Sequence, residues 1–432
     1  MQPFRFIHCG DLHLGAPFQY AMGMSRHVDR AVAEATYEAF NNIIEIAIRE
    51  RVQAVVISGD IYNSEDHNLE AQVRFVRAMY RLWEAHIPVY MVQGNHDPAE
   101  SWRAGLSMPD NVHVFSDAQV QRFPLIVNNI EIGGVYGISC GHGNEQSNFA
   151  SQYKAFERDE FSLAVMHGTV GSSAGSENHD ITGPCNMTDI MQGAMDYWAL
   201  GHIHKSQVLS EDPMVVYAGN QQGLHRKESG PKGCYMVHVS HNGHCELEFI
   251  ETSVIRFEDI KIDIAGVQTE RELLDVLSHK KQSLRKRCNK NTLVSVSLVG
   301  TGPMHRLCVD ESVRKLWLRE SQFEEKSKSI FVMPYRMIAK TRPIVNLAER
   351  RLLSDMVGDY LRAYDETVTD IDVVRQILVD RPESKRLGGY LDLLSDDVLQ
   401  RVMERSEMEG VTVLMGVNDE HQTDSTRLIW TV

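Results

Sequence analysis

The stretch Phe4-Arg5-Phe6-Ile7-His8-Cys9-Gly10-Asp11-Leu12-His13 sets the frame for the whole chain. Residues 4–9 are a short, mostly apolar run that stops at a glycine, as buried strands do. Two ligand-type side chains, Asp11 and His13, follow directly. On an extended chain, residues two apart share a face, so the spacing predicts that both point the same way off the strand end. A helix comes next: Ala31, Val32, Ala35, Ala39, Phe40, Ile43, Ile44, Ala47 and Ile48 recur at spacings of three and four. A second apolar run covers 54–58. A second helical stretch covers roughly 68–85, with Val73, Val76, Met79, Tyr80 and Trp83 on one side, and a third run covers 88–92. The order β-α-β-α-β specifies an α/β layered domain. Further strand patterns lie at 124–135, 162–167, 196–200, 214–218, 233–240 and 245–252.

At 432 residues the chain exceeds what one core usually holds. The pattern divides it at 1–255, at 256–340 and at 341–432. The middle part reads as a small α/β domain: a helix at 269–290, then the alternating strand Leu293–Val299. The last part reads as helical, ending on a short β-like segment at 427–432. With 43% hydrophobic and 24% charged residues, the composition is that of a folded globular protein rather than a disordered one. A net charge of −15 excludes a uniformly basic nucleic-acid coat, but not an enzyme that concentrates positive charge, including that of metal ions, where phosphate sits. The seven cysteines are scattered and form no Cys-x-x-Cys pair, which predicts reduced thiols and a cytoplasmic protein. The start of the chain runs straight into the first strand with no signal peptide pattern. No stretch approaches the roughly 18 apolar residues of a membrane span. The absence of a Gly-rich Lys loop means that this chain is not itself an ATPase.

Ligand-type residues recur at the end of each predicted strand: Asp11 and His13, then Gly59-Asp60, Gly94-Asn95-His96-Asp97, His167-Gly168 and Gly201-His202-Ile203-His204. In an open α/β sheet the C-terminal strand ends share one edge, where ligands bind. Two divalent ions about 3.5–4 Å apart can clamp a phosphate, activate a water and stabilise the leaving oxygen. Carboxylates offset the charge of the ions; imidazoles and an amide complete the shell without adding more. Mixed O and N donors suit Mn²⁺, Fe²⁺ or Zn²⁺ more than Ca²⁺. Any one of these fragments is common by chance, whereas the ordered series at successive strand ends is not.

The series resembles the calcineurin-like metallophosphoesterase superfamily. Asp11-Leu12-His13-Leu14-Gly15, Met166–Gly171 and Asp196–His204 are similar to SbcD-like DNA repair exonuclease subunits of the bacterial YhaO type, as is the run from Tyr217-Ala218-Gly219-Asn220 through Glu228 to Lys232-Gly233. The likeness covers about 1–250. It extends toward 370 through Gly302-Pro303-Met304-His305-Arg306, which is similar to the capping domain of that family. The resemblance implies a layered β-sandwich core flanked by helices, then a small α/β capping domain and a helical C-terminal region. It implies two metal ions, Mn²⁺ by family preference: Asp11, His13, Asp60 and His204 on one, and Asp60, Asn95, His167 and His202 on the other, with Asp60 bridging. It gives His96 the role of stabilising the transition state or protonating the leaving oxygen, oriented by Asp97. The activity implied is metal-dependent hydrolysis of DNA ends, alongside an SbcC-like coiled-coil ATPase and with a second copy of the chain. Two positions depart from the pattern. Asn63 replaces the usual His or Asp; it can hydrogen-bond a phosphate oxygen but cannot act as an acid at neutral pH. Tyr217-Ala218-Gly219 replaces Tyr-Pro-Gly.

Other residues carry weaker signals. His8, inside the first strand, is expected in the core. His142 and His179 fall in loops near the site, as does the flexible stretch from Gly171 to Ser176. The basic residues Lys280, Lys281, Arg285, Lys286, Arg287 and Lys290 suit either DNA phosphates or the favourable C-terminal end of a helix. The helix at 68–85 suits either core packing or a dimer face, and the helix at 344–362 could dock on the ATPase.

Overall fold

The computed structural model describes residues 1–18, 24–99, 101, 105–141, 143–171, 181–368, 371–379 and 395–414. His142, His179, residues 172–176 and the segment 427–432 therefore lie outside the described residues. Strands are β1 (Phe4–Cys9), β2 (Ala54–Ser58), β3 (Val89–Val92), β4 (Val112–Val114), β5 (Gln121–Val127), β6 (Ile130–Ile138), β7 (Phe161–His167), β8 (Tyr197–Gly201), β9 (Gln207–Glu211), β10 (Met214–Tyr217), β11 (Gly233–Val239) and β12 (Cys245–Glu251). They form two six-stranded sheets, in the orders β12-β11-β1-β2-β3-β4 and β5-β6-β7-β8-β10-β9. In the first, β1 to β4 run parallel, β11 is antiparallel to β1, and β12 is antiparallel to β11. In the second, β6, β7, β8 and β10 run parallel, with β5 and β9 antiparallel at the edges.

The period-two alternation of strands sorts side chains onto the two faces. Phe4 and Phe6 of β1 and Ala54 and Val56 of β2 join Leu163, Val165, Tyr197 and Ala199 of the second sheet in a core between the sheets. Their neighbours Ile7, Cys9, Val55 and Ile57 point outward and are covered by α1 (Arg26–Glu50) and α2 (Leu69–Glu84). Burial on both faces is why these strands read as mostly apolar runs. The side chains of Ser25 and Asn68 cap α1 and α2 by accepting the amides of Val28 and Ala71. On the outer face of the second sheet, Ile190 of α3 (Met187–Gln192) packs with Trp198, Tyr136 and Tyr153. The layered α/β architecture expected from the sequence is the one found.

Local differences have local causes. The strand pattern at 124–135 is really the hairpin β5–β6, whose two-residue turn, Asn128-Asn129, has positive φ at both positions (48° and 66°). β4 and β9 were not anticipated: the first is only three residues long, and the second is a partly exposed edge strand.

Three more strands, β13 (Ile255–Asp263), β14 (Asn291–Thr301) and β15 (Val332–Arg342), form a sheet in that order, with α4 (Glu270–Cys288), α5 (His305–Val309) and α6 (Glu311–Phe323) between them in sequence. The helices α7 (Leu347–Arg351), α8 (Met356–Val368), α9 (Ile371–Val379) and α10 (Asp396–Leu414) follow. Two compact units interleave along the chain. One holds 1–260, 279–295 and 318–336; the other holds 261–278, 296–317 and 337–432. Within the first, Phe257, Leu293, Phe331 and Met333 pack with Val28, Val32 and Ala35 of α1. Within the second, Val357 and Leu361 of α8 pack with Val411 of α10.

Most of the basic run at 280–290 is committed to the fold. Lys281 is buried against Glu325 (3.1 Å), which Arg285 also reaches (2.5 Å). Arg287 pairs with Glu258 and Lys290 with Glu251. All seven cysteines are buried and none is in a disulfide. Among the described residues, no helix is long and apolar enough to cross a membrane.

Candidate metal centre

The strand ends singled out in the sequence converge on one site, although β1, β2 and β3 belong to one sheet and β7 and β8 to the other, not to a single open sheet. The loops after β1 and β2 are zipped together by backbone bonds: the amides of Asp11, His13 and Leu14 donate to the carbonyls of Gly59, Asp60 and Ile61 at 3.0, 3.0 and 2.9 Å. This pairing comes with strained backbone. Asp11, His13, Asp60 and His202 have φ of 48°, 41°, 51° and 97°, in the left-handed region that non-glycine residues avoid. The Asp11–His13 pair is therefore not the extended segment that the spacing predicted, and the His202–His204 pair is likewise bent at His202. Neighbouring loops bend them so that their side chains converge.

Glycines make room for that convergence. A Cβ on Gly59, itself at φ 95°, would lie 2.4 Å from His167 Nδ1. A Cβ on Gly94 would lie 2.1 Å from Asp60 Oδ1.

Three imidazoles define the geometry. His167 is fully buried and donates from Nδ1 to the Ser58 carbonyl (2.8 Å), so its Nε2 lone pair faces Asn95 Oδ1 at 2.9 Å. His13 Nδ1 meets Asn63 Oδ1 (3.0 Å), and His204 Nδ1 donates to Glu228 Oε1 (2.5 Å). Their Nε2 atoms then face each other at 3.1 Å. Asp60 Oδ2 lies between the two groups, 3.6 Å from His13 Nε2 and 3.5 Å from His167 Nε2. His202 approaches Asn95 Oδ1 through Nδ1 (3.2 Å), and its amide donates to Asp11 Oδ1 (2.8 Å). The ligand atoms of Asp11, His13 and His204 lie within 4.8 Å of one another, as do those of Asp11, Asp60 and His167.

The chemistry of this donor set fits divalent cations. Lone pairs of nitrogen and oxygen facing one another at hydrogen-bond distance repel unless positive charge lies between them. Asp11 Oδ2 is buried and has no hydrogen-bond partner, a costly state for a carboxylate unless something else neutralises it. Burial, reinforced by the nearby charge of Asp60, raises the Asp11 carboxyl well above its usual range. Burial also works against ionisation of Asp60, but His167, His13, His96 and the His96 amide outweigh it and hold that carboxyl low. His167 is pushed down, chiefly by burial, toward the neutral form that can ligate a metal.

The remaining expected residues are close by. The His96 amide donates to Asp60 Oδ1 (3.0 Å), while its exposed ring sits edge-on to His13, with centroids 5.1 Å apart. Asp97 is buried; its two carboxylate oxygens accept the amides of Gly94 (2.9 Å) and Ile61 (3.2 Å), tying the loop after β3 to the loop after β2. Asn63 Oδ1 lies 3.0 Å from His13 Nδ1. His8 is in the core, as expected. It bonds the Tyr197 hydroxyl (3.0 Å), and burial pushes it down to about 3.

Sequence reasoning missed three contributors. They are the Ser58 carbonyl behind His167, the Glu228 carboxylate behind His204, and buried Lys232, which donates to the His204 carbonyl at 2.7 Å. Burial works against ionisation of Glu228, but His204, His225 and the Leu224 amide overcome it and hold the carboxyl well below its usual range. A single Glu or Lys in a loop carries no local signal of this kind. Only the run cited for the family resemblance included them.

Comparison with known proteins agrees with the geometry. The model of the calcineurin-like phosphoesterase family matches residues 4–206. The metallophosphoesterase YhaO of Bacillus subtilis (strain 168), described as uncharacterized, is 31% identical over 404 residues, spanning 93% of this chain and 96% of that protein. The DNA double-strand break repair protein Mre11 of Sulfolobus acidocaldarius is 22% identical, spanning 88% of this chain and 96% of that one. Its counterpart in Saccharolobus solfataricus is 26% identical over 249 residues, spanning 55% and 60%.

Proposed function

Because this chain belongs to the calcineurin-like metallophosphoesterase family, we propose that it is a two-metal nuclease that hydrolyses phosphodiester bonds at DNA ends in DNA repair. The observation that carries the reading is the approach of the His13 and His167 Nε2 atoms to Asp60 Oδ2, with His204 Nε2 facing that of His13, beside the orphaned Asp11 oxygen. Asp11, His13, Asp60 and His204 would hold one ion, and Asp60, Asn95, His167 and His202 the other; two such ions supply phosphate clamping, water activation and leaving-group stabilisation. Mixed oxygen and nitrogen donors suit Mn²⁺, Fe²⁺ or Zn²⁺, and the family resemblance favours Mn²⁺ among them. The choice of DNA as substrate is supported by the relatives named for DNA double-strand break repair.

The residues of the chain then have distinct tasks. His96 has its backbone anchored to Asp60 and its ring open to solvent, so it is placed to give a proton to the leaving oxygen. Asp97 keeps that loop in position through the Gly94 and Ile61 amides. Asn63 orients His13. The family resemblance extends the proposal to a coiled-coil ATPase partner and a homodimer. For the latter, Tyr80 and Trp83 on α2 (42% and 50% exposed) offer apolar surface.

The test is Mn²⁺-dependent cleavage of end-labelled linear duplex and single-stranded DNA, beside bis-p-nitrophenyl phosphate, for the wild type and His96→Ala. The wild type should degrade DNA, and the variant should lose roughly 10²–10⁴-fold in rate while still binding metal. Turnover of the small ester alone would move the assignment to a small-nucleotide phosphodiesterase. Metal binding without any turnover would make the chain a DNA-end scaffold.

A further inference from the structure

The three imidazoles whose Nε2 atoms converge are each backed at Nδ1 by a different kind of oxygen. His167 has the backbone carbonyl of Ser58, His13 the side-chain amide of Asn63, and His204 the carboxylate of Glu228. Of these acceptors only Glu228 carries charge, and it makes the shortest of the three contacts. It is also firmly held. Glu228 is buried; its Oε2 accepts the Leu224 amide at 2.7 Å, and His225 Nε2 lies 3.4 Å from Oε1. The backbone of His204 is pinned in turn, its carbonyl accepting from buried Lys232. Both the ring and the main chain of His204 are thus fixed from the 224–232 segment, more than twenty residues away in sequence.

We infer that Glu228 is a positioning residue for the metal centre: by accepting the His204 Nδ1 proton it fixes the tautomer and tilt of the ring and makes Nε2 a stronger donor to the ion shared with Asp11 and His13. A ligand imidazole whose other nitrogen is bound to a carboxylate is both oriented and more basic. The inference rests on the two-metal reading and adds to it an asymmetry. One ion depends on a charged side chain behind its ligand, while the His167 side depends on a main-chain carbonyl that no substitution of Glu228 disturbs.

The experiment is calorimetric titration of the full metal-stripped chain with MnCl₂, for the wild type, Glu228→Gln and Glu228→Asp. Melting curves in chelator would establish that each is folded. The wild type should bind two ions. In Glu228→Gln one ion should bind as in the wild type and the other roughly 10–100-fold more weakly. Glu228→Asp, which keeps the charge but shortens the reach, should fall between them and keeps the inference testable if the glutamine variant does not fold. Turnover of bis-p-nitrophenyl phosphate by Glu228→Gln should return toward the wild-type rate as Mn²⁺ is raised, because the loss lies in occupancy. Two ions bound with wild-type affinity in the folded Glu228 variants, or both weakened equally, would overturn the positioning role and leave the two-metal reading standing. Fewer than two ions bound by the wild type would overturn that reading, and this inference with it.

Discussion

Gly94→Ala isolates the geometric demand of the centre in a single methyl group. The new Cβ would meet Asp60 Oδ1 at 2.1 Å and the Asp60 amide nitrogen at 2.7 Å. Real Cβ contacts stay above 3.0 Å, so the Asp60 carboxylate or the loop carrying it must yield by about 1 Å, a displacement that can cost about 10²-fold in rate when reacting groups are misplaced. Because one of the clashing atoms belongs to the backbone, rotating the Asp60 side chain does not relieve the overlap. The His96 amide bond to Oδ1 (3.0 Å) must also lengthen or break. The expectation is a loss of about 100-fold in kcat/KM for bis-p-nitrophenyl phosphate, equivalent to about 2.7 kcal/mol of transition-state stabilisation. The assay is steady-state turnover in saturating Mn²⁺, with calorimetry to count bound ions. Gly105→Ala, whose Cβ would meet nothing within 4 Å, serves as the control. A Gly94→Ala protein with two ions bound and activity within three-fold of the control would refute the claim that Asp60 must occupy its observed place.

Two further perturbations test the scaffold. Asp159 accepts two contacts from Arg122 (2.6 and 3.0 Å) and the Tyr136 hydroxyl (2.6 Å); burial opposes its ionisation, but Arg122 and Tyr136 hold the carboxyl below its usual range. Asp159→Ala should lower stability by about 2 kcal/mol, a figure reduced from that of a fully buried pair because Arg122 remains partly solvated. A carboxyl with a depressed folded pKa stabilises above its unfolded value and loses that contribution as pH falls through the folded value. The gap in urea midpoint between wild type and variant should therefore persist from neutral pH down to about pH 4 and shrink only below it; a gap that closed already at pH 6 would contradict this. Glu325→Ala strands buried Lys281 and partly buried Arg285, and should cost about 3–5 kcal/mol. A melting temperature equal to that of the wild type would show instead that the basic end of α4 is free to serve another purpose.

The centre stores strain as well as ligands. Four of its residues, Asp11, His13, Asp60 and His202, sit at positive φ. Such positions cost on the order of 1–3 kcal/mol each and persist where surrounding contacts over-determine them. Here the contacts are the backbone bonds between the loops after β1 and β2 and the His202 amide on Asp11 Oδ1. Asp and His tolerate this conformation better than most non-glycine residues, but the contacts from neighbouring loops are what hold it.

Much of this was readable in the linear chain. β1, β2, β3, β7 and β8 are mostly apolar because each is buried on both faces, and burial is what hydropathy reports. The helices over 26–50 and 69–84 announce themselves through a 3.6-residue period. The Asp, Asn and His residues at the strand ends form an ordered series because the parallel strands of each sheet end together and the two sets of ends meet at the site. Three things were decided only by the tertiary structure. The first is the left-handed bend that turns the Asp11–His13 and His202–His204 pairs inward, which depends on hydrogen bonds from other loops. The second is the set of groups behind the imidazoles: Asn63 at His13, Ser58 at His167 and Glu228 at His204. The third is the fate of the basic run at 280–290, mostly spent on Glu325, Glu258 and Glu251. Local periodicity is written into the order of residues because solvent acts on each segment separately. A partner tens or hundreds of residues away leaves no periodic mark, and is known only when the chain has closed around it.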